Sequence, residues 1–126
     1  MSDESNLPSG DLLVVLRHGP HGSLWLREGL EAALVAAALG QRVSLLFMGP
    51  GVAALAANQQ RGPLEQKGTL PMLEMLPLYE VEQLLAVEDD LVALGLGAEC
   101  LAVPVERVGP AAVAALMARH PLVLNF

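Results

Sequence analysis

Short runs that are apolar at nearly every position recur along the chain: LLVVL at Leu12–Leu16, VSLLFM at Val43–Met48, LLAV at Leu84–Val87, CLAV at Cys100–Val103 and LVL at Leu122–Leu124. A strand with one wet face alternates apolar and polar residues. A run apolar at successive positions has no wet face, and fits a parallel sheet covered by helices on both sides. Between the runs lie stretches that read as helices, at about Leu24–Leu39, Val52–Ala57, Thr69–Leu76, Glu88–Leu94 and Pro110–Arg119. The alternation predicts an α/β fold, a single-domain three-layer α/β/α sandwich with a parallel sheet of about five strands. Gly40 and Gly95 fall where helices should stop and can take the left-handed cap conformation. Gly109-Pro110 suits a helix start, and Gly62-Pro63 marks the loop before the third helical segment.

The stretch Leu24–Leu39 is apolar most of the way round. Leu26, Leu30, Ala33, Leu34 and Ala37 form a stripe for the sheet, while Trp25, Val35, Ala36 and Leu39 carry apolar atoms to other faces. Only Arg27, Glu28 and Glu31 are charged. Such a helix is buried on more than one side, and in a small domain the second side implies another subunit.

Composition sharpens this. A chain of 126 residues is one domain, expected over residues 12–126, with the acidic, polar residues 1–11 as a disordered leader that lacks the features of a signal peptide. It is 53% hydrophobic and only 17% charged. A domain of this size cannot hide so much apolar surface, and the surplus points to a partner interface, for which Trp25, Leu78 and Tyr79 are candidates. The net charge of −7 argues against direct nucleic-acid binding. The uncharged stretch Val43–Gln60 is too interrupted by Gly49, Pro50 and Gly51 for a membrane span. One cysteine, Cys100, excludes an intrachain disulfide and suits a reducing, cytoplasmic setting.

Four groups invite chemical readings. The strand-end Arg17-His18-Gly19 resembles the entry motif of histidine phosphatases, but phosphoryl transfer needs several cations and an acid around the phosphate. Only His21 and His120 remain as further histidines, so a strand-end loop of polar residues is the reading preferred here. His18 and His21 lack the further ligands a zinc site requires. Cys100 stands in an apolar run beside Glu99, with no cation to activate a thiol, and reads as a buried structural residue. Glu88-Asp89-Asp90 follows the third run and reads as acids capping a first helical turn. No catalytic residue, metal or cofactor is expected.

Further segments carry a resemblance: the Pro20-His21-Gly22 loop, Arg27-Glu28-Gly29-Leu30-Glu31-Ala32, LLFMGPGV from Leu45, Leu76 and Leu78-Tyr79-Glu80-Val81-Glu82-Gln83, and Leu122–Phe126. In this order and spacing they resemble the TusC/DsrF branch of the DsrE-like sulfur-transfer family, over about Leu12 to Phe126. The resemblance implies a heterotrimer with TusB- and TusD-like subunits, paired into a heterohexamer. That complex passes persulfide sulfur to a downstream acceptor of the TusE/DsrC type. It implies a role in 2-thiolation of the tRNA wobble uridine, or alternatively in dissimilatory sulfur oxidation. The sulfur-bearing cysteine implied for the TusD/DsrE subunit sits at the junction of the third strand and its helix. Here that position is Val87, eight residues before Gly95. The chain is therefore expected to be a non-catalytic subunit.

Overall fold

The computed structural model describes residues 7–20, 24–56 and 69–126. Five strands, β1 (Leu12–Leu16), β2 (Val43–Phe47), β3 (Gln83–Val87), β4 (Glu106–Val108) and β5 (Leu122–Asn125), form one sheet in the order β4-β3-β2-β1-β5. Every neighbouring pair is parallel. The helices are α1 (Trp25–Ala38), α2 (Leu70–Met75), α3 (Glu88–Ala93) and α4 (Ala112–Ala118). The α/β sandwich read from the apolar runs is the fold observed, because β1 and β2 are buried at all five positions.

Alternation along the strands divides the core in two. Leu12, Val14, Leu16, Val43, Leu45 and Phe47 pack with Leu26 and Leu30 of α1, with Leu73 of α2 and with Leu91 of α3. Leu13, Val15, Leu46, Leu85 and Val87 pack on the other face against Ala112 and Leu116 of α4. Among the described residues, three α-helices therefore cover one face and one covers the other. Chain order explains it: β1 to β4 step across the sheet in one direction, and right-handed crossovers keep their helices on one side. The return from β4 to β5 runs the opposite way and carries α4 beneath.

Gly40 and Gly95 take positive φ, 91° and 69°, and close α1 and α3 as expected. Val52–Ala57 differs: Gly49–Leu55 is a 3₁₀ helix that opens on Gly49-Pro50-Gly51, and Ala57 lies outside the described residues. The CLAV run also differs. Ala98–Cys100 is a 3₁₀ turn, Leu101 makes only an isolated antiparallel bridge with Ala56, and the fourth strand is Glu106–Val108. Pro104, lacking an N–H, separates the two. Leu101, Val103 and Val105 still pack against the first core, so the apolar run is used as a covering loop.

The expected leader is packed where it is described. Leu7 is buried in the second core, its carbonyl accepts a hydrogen bond from Arg119 Nη1 at 3.0 Å, and Asp11 Oδ2 accepts the Arg42 backbone N–H at 2.8 Å. Residues 1–6 lie outside the described residues. Among the described residues, no helix is long and apolar enough to cross a membrane.

Candidate functional site

The carboxyl ends of β1, β2 and β3 meet in a tightly braced group of loops. Arg17 N–H donates to Phe126 O at 2.7 Å, fixing the exit of β1 to the end of β5. Met48 N–H donates to Leu16 O at 3.1 Å, and Gly51 presses on the same carbonyl. A Cβ at Gly51 would lie 2.0 Å from Leu16 O, so only glycine fits. Gly49 takes φ 56° and donates its N–H to Asp90 Oδ2 at 2.7 Å. Asp90 is therefore a tether between the β2 loop and α3.

These loops enclose an open hollow of about 590 Å³. Gly19 and Pro20 form one wall, Gly49, Pro50 and Ala53 another, and Ala93 and Leu94 a third. Among the described residues, the one ionisable group lining it is Asp90, whose carboxylate is already bonded. An apolar hollow of this kind can receive an apolar side chain of another molecule. Its described lining offers no cation to a phosphate.

Connections leave β3 and β4 toward opposite faces, to α3 and α4 respectively, and α/β folds place ligands at such a switch point. Val87 ends β3 here and is 4% exposed, with its side chain in the second core alongside Leu85, Val108 and Ala112. Glu88 and Arg107 form a half-buried ion pair at 3.2 Å, and Arg107 Nη2 also donates to Leu96 O at 3.4 Å. The acidic cluster is thus distributed to different tasks. Glu88 pairs with Arg107 and Asp90 holds Gly49, while none makes the side-chain cap bond that the sequence suggested for α3. Tertiary partners outcompete the local cap.

Of the residues in the motif loop, Pro20 lines the hollow, whereas His21 and Gly22 lie outside the described residues. Arg27 pairs with Glu31 at 3.2 Å one turn along α1, and Glu28 is exposed. His18 is exposed and stacks on Trp25, with ring centroids 5.6 Å apart. Trp25, Leu78 and Tyr79 are all exposed, at 50%, 81% and 38%, but they do not form one patch. Trp25 opens α1 at the carboxyl end of the sheet. Tyr79 shares a polar hollow with Gly40 and Gln41, just past the other end of α1.

Cys100 is exposed rather than buried, because the segment bearing it is a turn and not a strand. His120, by contrast, is a core residue the sequence did not single out. Its ring lies between α4 and β2, with Nδ1 at 2.7 Å from Leu116 O and Nε2 at 2.9 Å from Ser44 Oγ. A carbonyl can only accept, so Nδ1 donates, and in the neutral ring Nε2 then accepts the Ser44 hydroxyl. Polar Ser44 within an apolar strand was the available signal. No group of three or more His, Cys, Asp or Glu that could hold a metal occurs among the described residues.

A profile of the DsrE/DsrF-like family matches residues 11–126. The chain is 32% identical to a protein named TusC homolog from Vibrio vulnificus (strain CMCP6), over 91% of this chain and 98% of that protein. It is 41% identical to protein TusC of Buchnera aphidicola subsp. Acyrthosiphon pisum (strain APS) over a shorter 46 residues, 36% of this chain and 39% of that protein. Among solved structures, the crystal structure of the ychN protein from E. coli superimposes with a TM-score of 0.79 at 23% identity, over 92% of this chain and 98% of that one. That likeness establishes the fold alone.

Proposed function

Because the chain belongs to the DsrE/DsrF-like family, we propose that it is a non-catalytic subunit of a cytoplasmic sulfurtransferase complex, in which a sister chain carries the sulfur. The observation that carries this reading is Val87. It occupies the position at which the family resemblance places the carrier cysteine, and its side chain is 4% exposed and packed into the core. A relay step needs a thiolate that attacks the outer sulfur of a persulfide and releases the donor thiolate. An isopropyl group has no lone pair for that attack, and Glu88, Asp89 and Asp90 beside it would oppose an anion. The exposed apolar side chains at both ends of α1 support a role in holding neighbours.

The partners in this reading are TusB- and TusD-like subunits, in a heterotrimer that pairs into a heterohexamer, with a TusE/DsrC-type acceptor downstream. The relatives are named TusC, and the Tus branch of the resemblance implies 2-thiolation of the tRNA wobble uridine, which favours that role over sulfur oxidation. Co-expression with TusB- and TusD-like chains, followed by incubation with a persulfide donor, tests the reading. Mass spectrometry should find the added sulfur on the sister chain and none on this one. Sulfur gained by the isolated chain on Cys100, and passed to an acceptor without sister chains, would overturn it. Loss of thiolated uridine on deletion of this chain's gene tests the tRNA assignment.

A further inference from the structure

We propose that the outer edge of β5, together with the apolar groove beside it, receives an extended segment of a basic partner chain as an added strand. The two edges of the sheet differ in kind. At one edge, β4 is three residues long and includes Glu106 and Arg107, with Arg107 tied back to Glu88. Short, charged edges resist further pairing. At the other edge, β5 reads LVLN and carries no charge.

Its outward backbone groups can be assigned. Phe126 N–H donates to Val15 O and Phe126 O accepts from Arg17 N–H, so Phe126 turns toward β1. Strand residues alternate, and Val123 and Asn125 therefore direct their N–H and C=O away from β1. These groups have no backbone partner among the described residues. Beside them runs an open groove of about 500 Å³. Leu122 and Leu124 form its floor, and Val35 and Leu39 line its α1 wall. Leu122, Val35 and Leu39 are 49%, 60% and 79% exposed. α1 packs mainly over β1 and β2 and reaches Leu124 and Phe126, which join the first core, but it leaves Leu122 half exposed.

Charge selects the occupant. The ionisable groups lining the groove are Glu28 and Glu31, and only Glu31 has an ion-pair partner among the described residues, in Arg27. The chain as a whole carries −7. A second copy would add the uncharged strand LVLN and leave Glu28 without a counter-charge, whereas a strand whose groove-facing positions carry apolar residues flanked by Lys or Arg satisfies floor, rim and edge together. The proposal goes beyond the sulfur-relay reading and does not need it, since binding alone tests it.

The probe is a fluorescent peptide with valines at two groove-facing positions flanked on either side by groove-facing lysines, and threonine at the intervening positions, titrated against the full chain, with glutamate in place of lysine as the contrast. The basic peptide should bind, and hydrogen exchange at the Val123 and Asn125 amides should slow by about tenfold or more in its presence. Val123→Pro removes an outward N–H without touching the β1 ladder, and should weaken binding by about tenfold or more. Leu39→Lys changes an exposed groove residue that the fold does not need, and should have the same effect. Equal binding by the acidic peptide, or unchanged binding by Leu39→Lys, would overturn the proposal. So would slow exchange at those amides in the free monomer, or protection that rises with protein concentration alone and reports a second copy.

Discussion

Gly51→Ala offers a test of how the loops at the carboxyl end of the sheet are built. The added Cβ would lie 2.0 Å from Leu16 O, 2.7 Å from Leu16 C and 3.1 Å from Arg17 N. A carbon normally stays about 3.3 Å from a carbonyl oxygen, so main chain must move by roughly 1 Å. Leu16 O already accepts Met48 N–H, and Gly51 N–H donates to Met48 O, both at 3.1 Å. Overpacking costs about 1–3 kcal/mol, and weakening these two bonds adds about 1 kcal/mol each. The expected loss is therefore about 3–5 kcal/mol. Gly29→Ala is the comparison, since its Cβ would meet side chains, Leu16 Cδ2 at 2.4 Å and Phe126 Cγ at 3.0 Å. Side chains can rotate away, and alanine in a helix regains about 1 kcal/mol, which leaves a net cost of about 0–2 kcal/mol. Urea titration of both variants checks this, with the thermal midpoint of Gly51→Ala expected to fall by about 10–20 °C. A Gly51→Ala variant as stable as wild type, or more stable than Gly29→Ala, would refute the close approach.

Three further outcomes are expected. Ser44→Ala should cost about 1–3 kcal/mol by leaving His120 Nε2 buried without its donor; adding His120→Phe should then cost less than in the wild-type background, and simple additivity would count against the pairing. Asp11 is held below its ordinary value of 3.8, first by the Arg42 backbone N–H it accepts and then by the charge of Arg42. A depressed folded pKa gives stability that is present above the ordinary carboxylate range and fades as pH falls through the lowered value. The stability difference between wild type and Asp11→Asn should therefore shrink as pH is lowered from 6 toward 3, in roughly that window, and a difference constant with pH would contradict it. A thiol introduced by Val87→Cys should react with maleimide about tenfold or more slowly than Cys100, because it would be buried and flanked by acids; equal labelling would place that side chain outside the core.

Four of the five strands could be read from the sequence because β1, β2, β3 and β5 are apolar at nearly every position. β4 could not, since Glu106-Arg107-Val108 lies on an edge and buries only Val108. CLAV, more apolar than β4, was instead drawn into the covering loop, and with it Cys100 moved to the surface. Leu7 is one apolar residue in a polar stretch, and a single residue gives no period to detect. At the site, the acidic cluster was visible but its tasks were not. Asp90 bonds Gly49 across 41 residues and Glu88 pairs with Arg107 across 19, and pairings of that span come only from the assembled sheet. Trp25, Leu78 and Tyr79, named from the sequence as interface candidates, are exposed, and their separation depends on the direction of α1.

That separation affects assembly. α1 has fourteen residues, so about 21 Å of rigid rod divides the indole of Trp25 from the side chains near Tyr79. In the proposed complex, that distance would let two neighbours hold opposite ends of one subunit, a valence of two. Unlike patches of that kind join head to tail, and the angle between them decides whether the products close into a ring or grow into a filament.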